Sequence, residues 1–150
     1  GKQYAYVNKY QPQPGENIAD ANIPLLRLSE AYLNAAEAAV KTGDNATAVT
    51  YLDAIVHRAD PDSTVKGKTL TLANVLNERR KELVAEGHRM YDVMRNGLSI
   101  KREDVEESAI SRTRHDTPYM DYDRTFYMIV LPIPKGEIDA NPNIKQNPGY

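Results

Sequence analysis

The 150-residue chain sets 19 Lys and Arg against 21 Asp and Glu, a net charge of -2 that leaves no footprint for nucleic acid or an anionic membrane surface. It has no cysteine, which excludes disulfides, thiolate metal sites and cysteine nucleophiles. No apolar run approaches the ~20 residues needed to span a bilayer, and the length suits one domain.

Tyr4-Ala5-Tyr6-Val7-Asn8-Lys9-Tyr10 is rich in strand-favouring side chains and reads as a short strand or extended arm. It runs into Gln11-Pro12-Gln13-Pro14-Gly15, which cannot be helical, and reads as the continuation of an absent upstream region. Pro24 is tolerated in a first turn, so a helix is expected over 24–42, closed by Gly43, with Leu25, Leu28, Tyr32, Ala35, Ala36, Ala39 and Val40 buried. A second helix, over 45–59, presents Ala48, Leu52, Ile55 and Val56 and ends before Pro61. The spacing of these residues is similar to one tetratricopeptide repeat, over 24–60. A lone repeat cannot bury both faces, so it must stack on the next helix or on repeats of a longer chain.

A third helix is expected over 70–97, opened by the Thr71 hydroxyl and bent or broken at Gly87. Leu72, Val75, Leu76, Leu83, Met90, Val93 and Met94 form its apolar stripe, interrupted by Arg79 and Glu86. A buried charge without a partner costs several kcal/mol, so both must meet opposite charges or carbonyls, as a polar clamp. Glu78, Glu82, Arg89, Asp92 and Arg95 line a neighbouring face at ion-pair spacing. Glu82 and Glu86, one turn apart, have the spacing for acid–base work. No nucleophile or metal set accompanies them, and carboxylates amid arginines read as a salt-bridged face.

Residues 98–125 read as a long polar loop with at most a short helix. Phe126-Tyr127-Met128-Ile129-Val130-Leu131 reads as a buried short strand or extended segment, 135–139 as one helical turn, and the remainder as a lashing tail within an extended closing segment over 126–150. His57, His88 and His115 lie in different elements without ligand spacing, and Asp121-x-Asp123-x-Thr125 meets Phe126 and Pro132 where a calcium loop needs Gly and Glu, so no metal or cofactor is expected. Tyr119, Tyr122 and Tyr127, beside Asp121, Asp123 and Arg124, suit a sugar, whose apolar face stacks on a tyrosine while charged groups bind hydroxyls. The competing and commoner use is packing, with Tyr127 in the core and the other two over its edge.

Three stretches in order resemble the SusD/RagB family of outer-membrane nutrient-binding lipoproteins. They are Ile23-Pro24-Leu25-Leu26-Arg27-Leu28-Ser29-Glu30-Ala31-Tyr32; then Glu78-Arg79-Arg80-Lys81-Glu82-Leu83, Glu86-Gly87-His88-Arg89, Asp92 and Arg95; then Leu131-Pro132-Ile133-Pro134 with the tail over 141–150. The resemblance corresponds to the C-terminal portion of such a protein. It implies a mainly α-helical, α-α superhelix fold: a tetratricopeptide-like hairpin, a long packed helix and a largely irregular C-terminal region. It further implies non-catalytic glycan binding at the cell surface, a TonB-dependent, SusC-like transporter as partner, and lipid anchoring through an N-terminal cysteine absent here. What transfers to residues is structural, namely Arg27, Glu78, Arg79, Arg80, Glu82, Glu86, Gly87, Arg89, Asp92 and Arg95. A helical-repeat adaptor for proteins or peptides is the alternative.

Overall fold

Small side chains decide how closely the first two helices approach. A computed structural model describes residues 7, 9–12, 14, 15, 17, 25–101 and 121–150, with backbone only at Lys101, Asp121 and Tyr122, and the chain divides into two units, Gly1–Arg89 and Met90–Tyr150. In the first unit, α1 (Leu28–Thr42) and α2 (Asn45–Ala59) form an antiparallel hairpin. Ala36 and Ala48 are wholly buried with Leu33 and Leu52, so the backbones close over alanine and the leucines fill the remaining space. Tyr32 and Tyr51 meet edge to face at 5.3 Å across the same pair. Gly43, at φ 80°, reverses the chain, and its N–H bonds the carbonyls of Ala39 and Val40. Asp44 then caps α2 by accepting from Thr47 N at 3.0 Å. That bond and the Thr47 hydroxyl, the larger cause, hold its carboxyl below the usual aspartate range.

The expected start at 24 is too early. Arg27 stands extended at the N-cap, Leu25 and Leu26 are each 89% exposed, and Leu28 is 70% exposed. A first-turn proline permits helix without requiring it, and the buried stripe starts instead at Tyr32 and Leu33.

The connection to α3 has no regular structure but is tied from below. Asp53, only 6% exposed, accepts from the Thr64 hydroxyl at 2.5 Å and Val65 N at 2.9 Å. Asn45 holds the far end, donating to Lys68 O at 3.0 Å and accepting from Leu70 N at 2.8 Å. α3 (Leu72–Glu82) opens with a capping box, in which Asn74 N donates to the Thr71 hydroxyl at 3.3 Å and Thr71 N to Asn74 Oδ1 at 2.8 Å. It packs on both hairpin helices, more on α1, through buried Val75 and Leu83, with Leu76 and Arg79 also buried.

The helix expected over 70–97, bent or broken at Gly87, is broken into two, because residues 83–87 turn sharply. Ala85 (φ 63°) and Gly87 (φ 78°) adopt left-handed backbone, and α4 (His88–Arg95) begins beyond them. The turn resets the helical register, so Met90 is 39% exposed although it continues the stripe on paper, while Val93 is fully buried. Asp92 accepts from Arg95 at 2.7 Å, and Gly97, at φ 65°, ends the helix, with Leu98 N bonding Val93 O at 3.0 Å.

In the second unit, residues 98–125 are described only at their ends, where β1 (Ile100–Lys101) and β2 (Asp121–Tyr122) pair antiparallel, Ile100 opposite Tyr122. The buried strand or extended segment expected at 126–131 is a 3-10 turn, Tyr127–Ile129, followed by extended residues that are exposed rather than buried, Val130 58% and Leu131 80%. Asp123 initiates it, accepting from Thr125 N and Thr125 Oγ1 at 2.8 and 2.6 Å. A local side-chain turn thus outcompetes a strand that has no neighbour among the described residues. α5 (Lys135–Ala140) is the expected helical turn, and the tail follows without regular structure.

Candidate functional site

The densest arrangement of charge lies at the end of α3, where a helix C-terminus already carries about half a negative charge. Glu82 and Glu86 add two carboxylates, with side chains 10% and 8% exposed, so cations must converge there. Three do. One Arg27 nitrogen, Nη2, lies 3.0 Å from Glu82 Oε1 and 3.1 Å from Glu86 Oε1, and also donates to the Glu82 carbonyl at 3.0 Å. Lys9 donates to that carbonyl at 2.8 Å and pairs with Glu86 Oε1. Arg58, from the last turn of α2, takes Glu82 Oε2 at 2.6 Å. At the edge, His88 Nδ1 stands 3.7 Å from Glu30. Carboxylates paired with cations in this way hold Lys9, Arg27 and the end of α2 against the end of α3.

The two charges that interrupt the α3 stripe are met separately. Arg79, 3% exposed, donates to Asn34 Oδ1 at 2.6 Å, so α1 supplies one of its partners, whereas Glu86 takes Lys9 and Arg27. Glu78 pairs with Lys81 at 3.0 Å and Asp92 with Arg95, while Arg80 and Arg89 are exposed. Lys9, Arg58 and Asn34 were not legible as members. A basic residue in the last turn of α2 was the one local hint, and the other two lie 45 and 77 positions from their partners.

Of the sugar-facing tyrosine candidates, Tyr119 lies outside the described residues, as do Tyr4 and Tyr6 from the opening arm, and Tyr122 is described by its backbone alone. Tyr127 is engaged by the tail. A Cβ on Gly149, whose φ is +94°, would stand 2.6 Å from the Tyr127 ring, and Tyr150 meets that ring edge to face at 5.2 Å. Below it Gln146 imitates a neighbouring strand with its side chain, accepting from Ile133 N at 2.8 Å and donating to Ile133 O at 2.9 Å. Asn147 donates to Leu131 O and the Tyr150 hydroxyl to Val130 O, each at 2.8 Å.

Among the described residues no group of His, Asp and Glu could hold a metal ion, and no helix is long and apolar enough to cross a membrane.

The chain is 32% identical over 97% of its length to the starch-binding protein SusD of Bacteroides thetaiotaomicron, and 30% identical over 91% to the SusD-like protein P25 of Formosa agariphila. A solved structure from Bacteroides vulgatus ATCC 8482, provisionally described as a sugar-binding protein, superposes over 98% of the chain with a TM-score of 0.88 and 74% identity. A second from the same organism, a SusD superfamily protein, covers 87% with a TM-score of 0.75 and 43% identity. The chain spans only 24% and 26% of the two curated relatives and 33% and 28% of the two solved chains. The SusD family model matches residues 2–150, and on that match over almost its whole length the chain belongs to the SusD family.

Proposed function

We propose that this chain takes part in non-catalytic glycan binding at the cell surface, within a protein lipid-anchored at the outer membrane and working with a TonB-dependent, SusC-like transporter in nutrient uptake. The observation that carries the reading is the 32% identity, over 97% of the chain, to a protein named for starch binding. The charge cluster supports it from the chemical side, because Glu82 and Glu86 are neutralised by Lys9, Arg27 and Arg58 and serve cohesion.

Affinity electrophoresis of the 150-residue chain through gels containing soluble starch and other soluble polysaccharides tests the reading. Retarded migration in at least one gel, with no reducing sugar released, is expected. Unretarded migration in every gel overturns glycan binding by this chain, and release of reducing sugar overturns the non-catalytic role. The transporter is tested by crosslinking in cells that make the whole protein, where recovery of an outer-membrane β-barrel protein is expected and its absence overturns that part.

A further inference from the structure

One cavity takes no part in the charge cluster or the tail. The loop between α2 and α3 and the neighbouring side of α3 enclose an open cleft of about 620 Å³, inside the roughly 300–1,000 Å³ range of small-molecule sites. Its aliphatic lining includes Leu52, Val56 and Val65. Asp62, Lys68 and Asn77 also line it, and their side chains have no hydrogen-bond or ion-pair partner among the described residues.

The loop wall is built in place. Asp53, its carboxylate 9% exposed, fixes Thr64 and Val65, and Asn45 fixes Lys68 and Leu70, so little ordering remains to be done on binding. The chemistry of the lining is selective. Asp62 accepts, Lys68 donates and Asn77 does both, which suits hydroxyl groups that are donor and acceptor at once. Asp62 opposes Lys68 in charge, and Glu78 is paired with Lys81, so the cleft favours neither an anion nor a cation. No aromatic side chain lines it, so a planar aromatic ligand finds nothing to stack on, whereas the half-buried Val56 and Val65 offer an aliphatic surface to the C–H face of a sugar ring.

We propose that this cleft is a saccharide subsite, taking about one or two neutral pyranose units. The proposal rests on the glycan-binding reading above and adds to it a place and a ligand charge.

Amide NMR spectra of the 150-residue chain titrated with maltose, cellobiose and lactose test it, alongside the same starch and polysaccharide gels run with the double variant Asp62→Ala, Asn77→Ala. At least one disaccharide is expected to give saturable shifts at residues 62–68 and 74–78. The double variant is expected to weaken that binding by about tenfold or more, as lost hydrogen bonds to a ligand do, with the amides of Leu33 and Ala36 unmoved. Saturable shifts confined to other residues, no shift with any disaccharide, or undiminished affinity in the double variant would each overturn the subsite. Wild-type retardation in a polysaccharide gel alongside any of these leaves glycan binding standing and removes only the cleft.

Discussion

Arg27 carries more of the local electrostatics than its position suggests. It stands outside the first helix, yet its Nη2 bridges both carboxylates at the end of α3, while its Nε is buried without a partner among the described residues. Breaking a buried ion pair costs roughly 3–5 kcal/mol, and the partial exposure of Arg27 together with the remaining Lys9 and Arg58 reduces this. Arg27→Leu is therefore expected to lower stability by about 2 kcal/mol in urea denaturation, and an unchanged midpoint would show the bridge to be cosmetic. Asp53 acts through protonation. The Thr64 hydroxyl first, then Val65 N–H, favours its carboxylate and holds the carboxyl below the usual aspartate value of about 3.9. Because the folded value is the depressed one, its contribution is complete above that unfolded value and is lost as pH falls through the folded one. Denaturation midpoints of the wild type and Asp53→Asn should differ at neutral pH and converge below about pH 4. A constant gap would mean that shape rather than charge holds the loop.

At the scale of elements, two left-handed positions terminate structure. Ala85 adopts φ 63° without being glycine, at a cost of about 1–2 kcal/mol, and the turn persists because Lys9 and Arg27 bind the Glu82 carbonyl just before it. Ala85→Gly removes that strain but adds unfolded-state entropy, so a net gain of up to about 1 kcal/mol in denaturant unfolding is expected. Gly149 is the opposite case. It needs both its φ of +94° and the absence of a Cβ, since the Tyr127 ring occupies the space. Gly149→Ala should detach residues 146–150 and speed their removal by carboxypeptidase, with the near-ultraviolet circular dichroism of the tyrosines reduced. Unchanged digestion would show that the Gln146 and Asn147 bonds suffice. The third helix was legible in composition and cap and its break was legible at Gly87, but not that the helix already ends at Glu82. The extra left-handed residue is an alanine, which nothing in the sequence marks.

Across the whole molecule, cohesion is unevenly distributed. The hairpin and α3 share a core in which Leu33 is wholly buried, whereas Leu25, Leu26 and Leu131 are 80% or more exposed. Leu33→Ala is expected to cost about 2–5 kcal/mol in denaturant unfolding, and Leu26→Ala within about 0.5 kcal/mol of nothing. Similar losses for the two would contradict the assigned core. The sequence by itself determined the helical hairpin, its alanine contact, the Gly43 reversal, the Thr71 start and the family, because these follow from periodicity, caps and motif order acting over a few residues. Tertiary structure alone decided that Lys9, Arg27 and Arg58 neutralise Glu82 and Glu86, that Asn34 meets Arg79, and that the tail claims Tyr127. Each of these joins groups far apart in the chain, and the free energy of a buried charge or ring specifies that a partner must exist without specifying which one arrives.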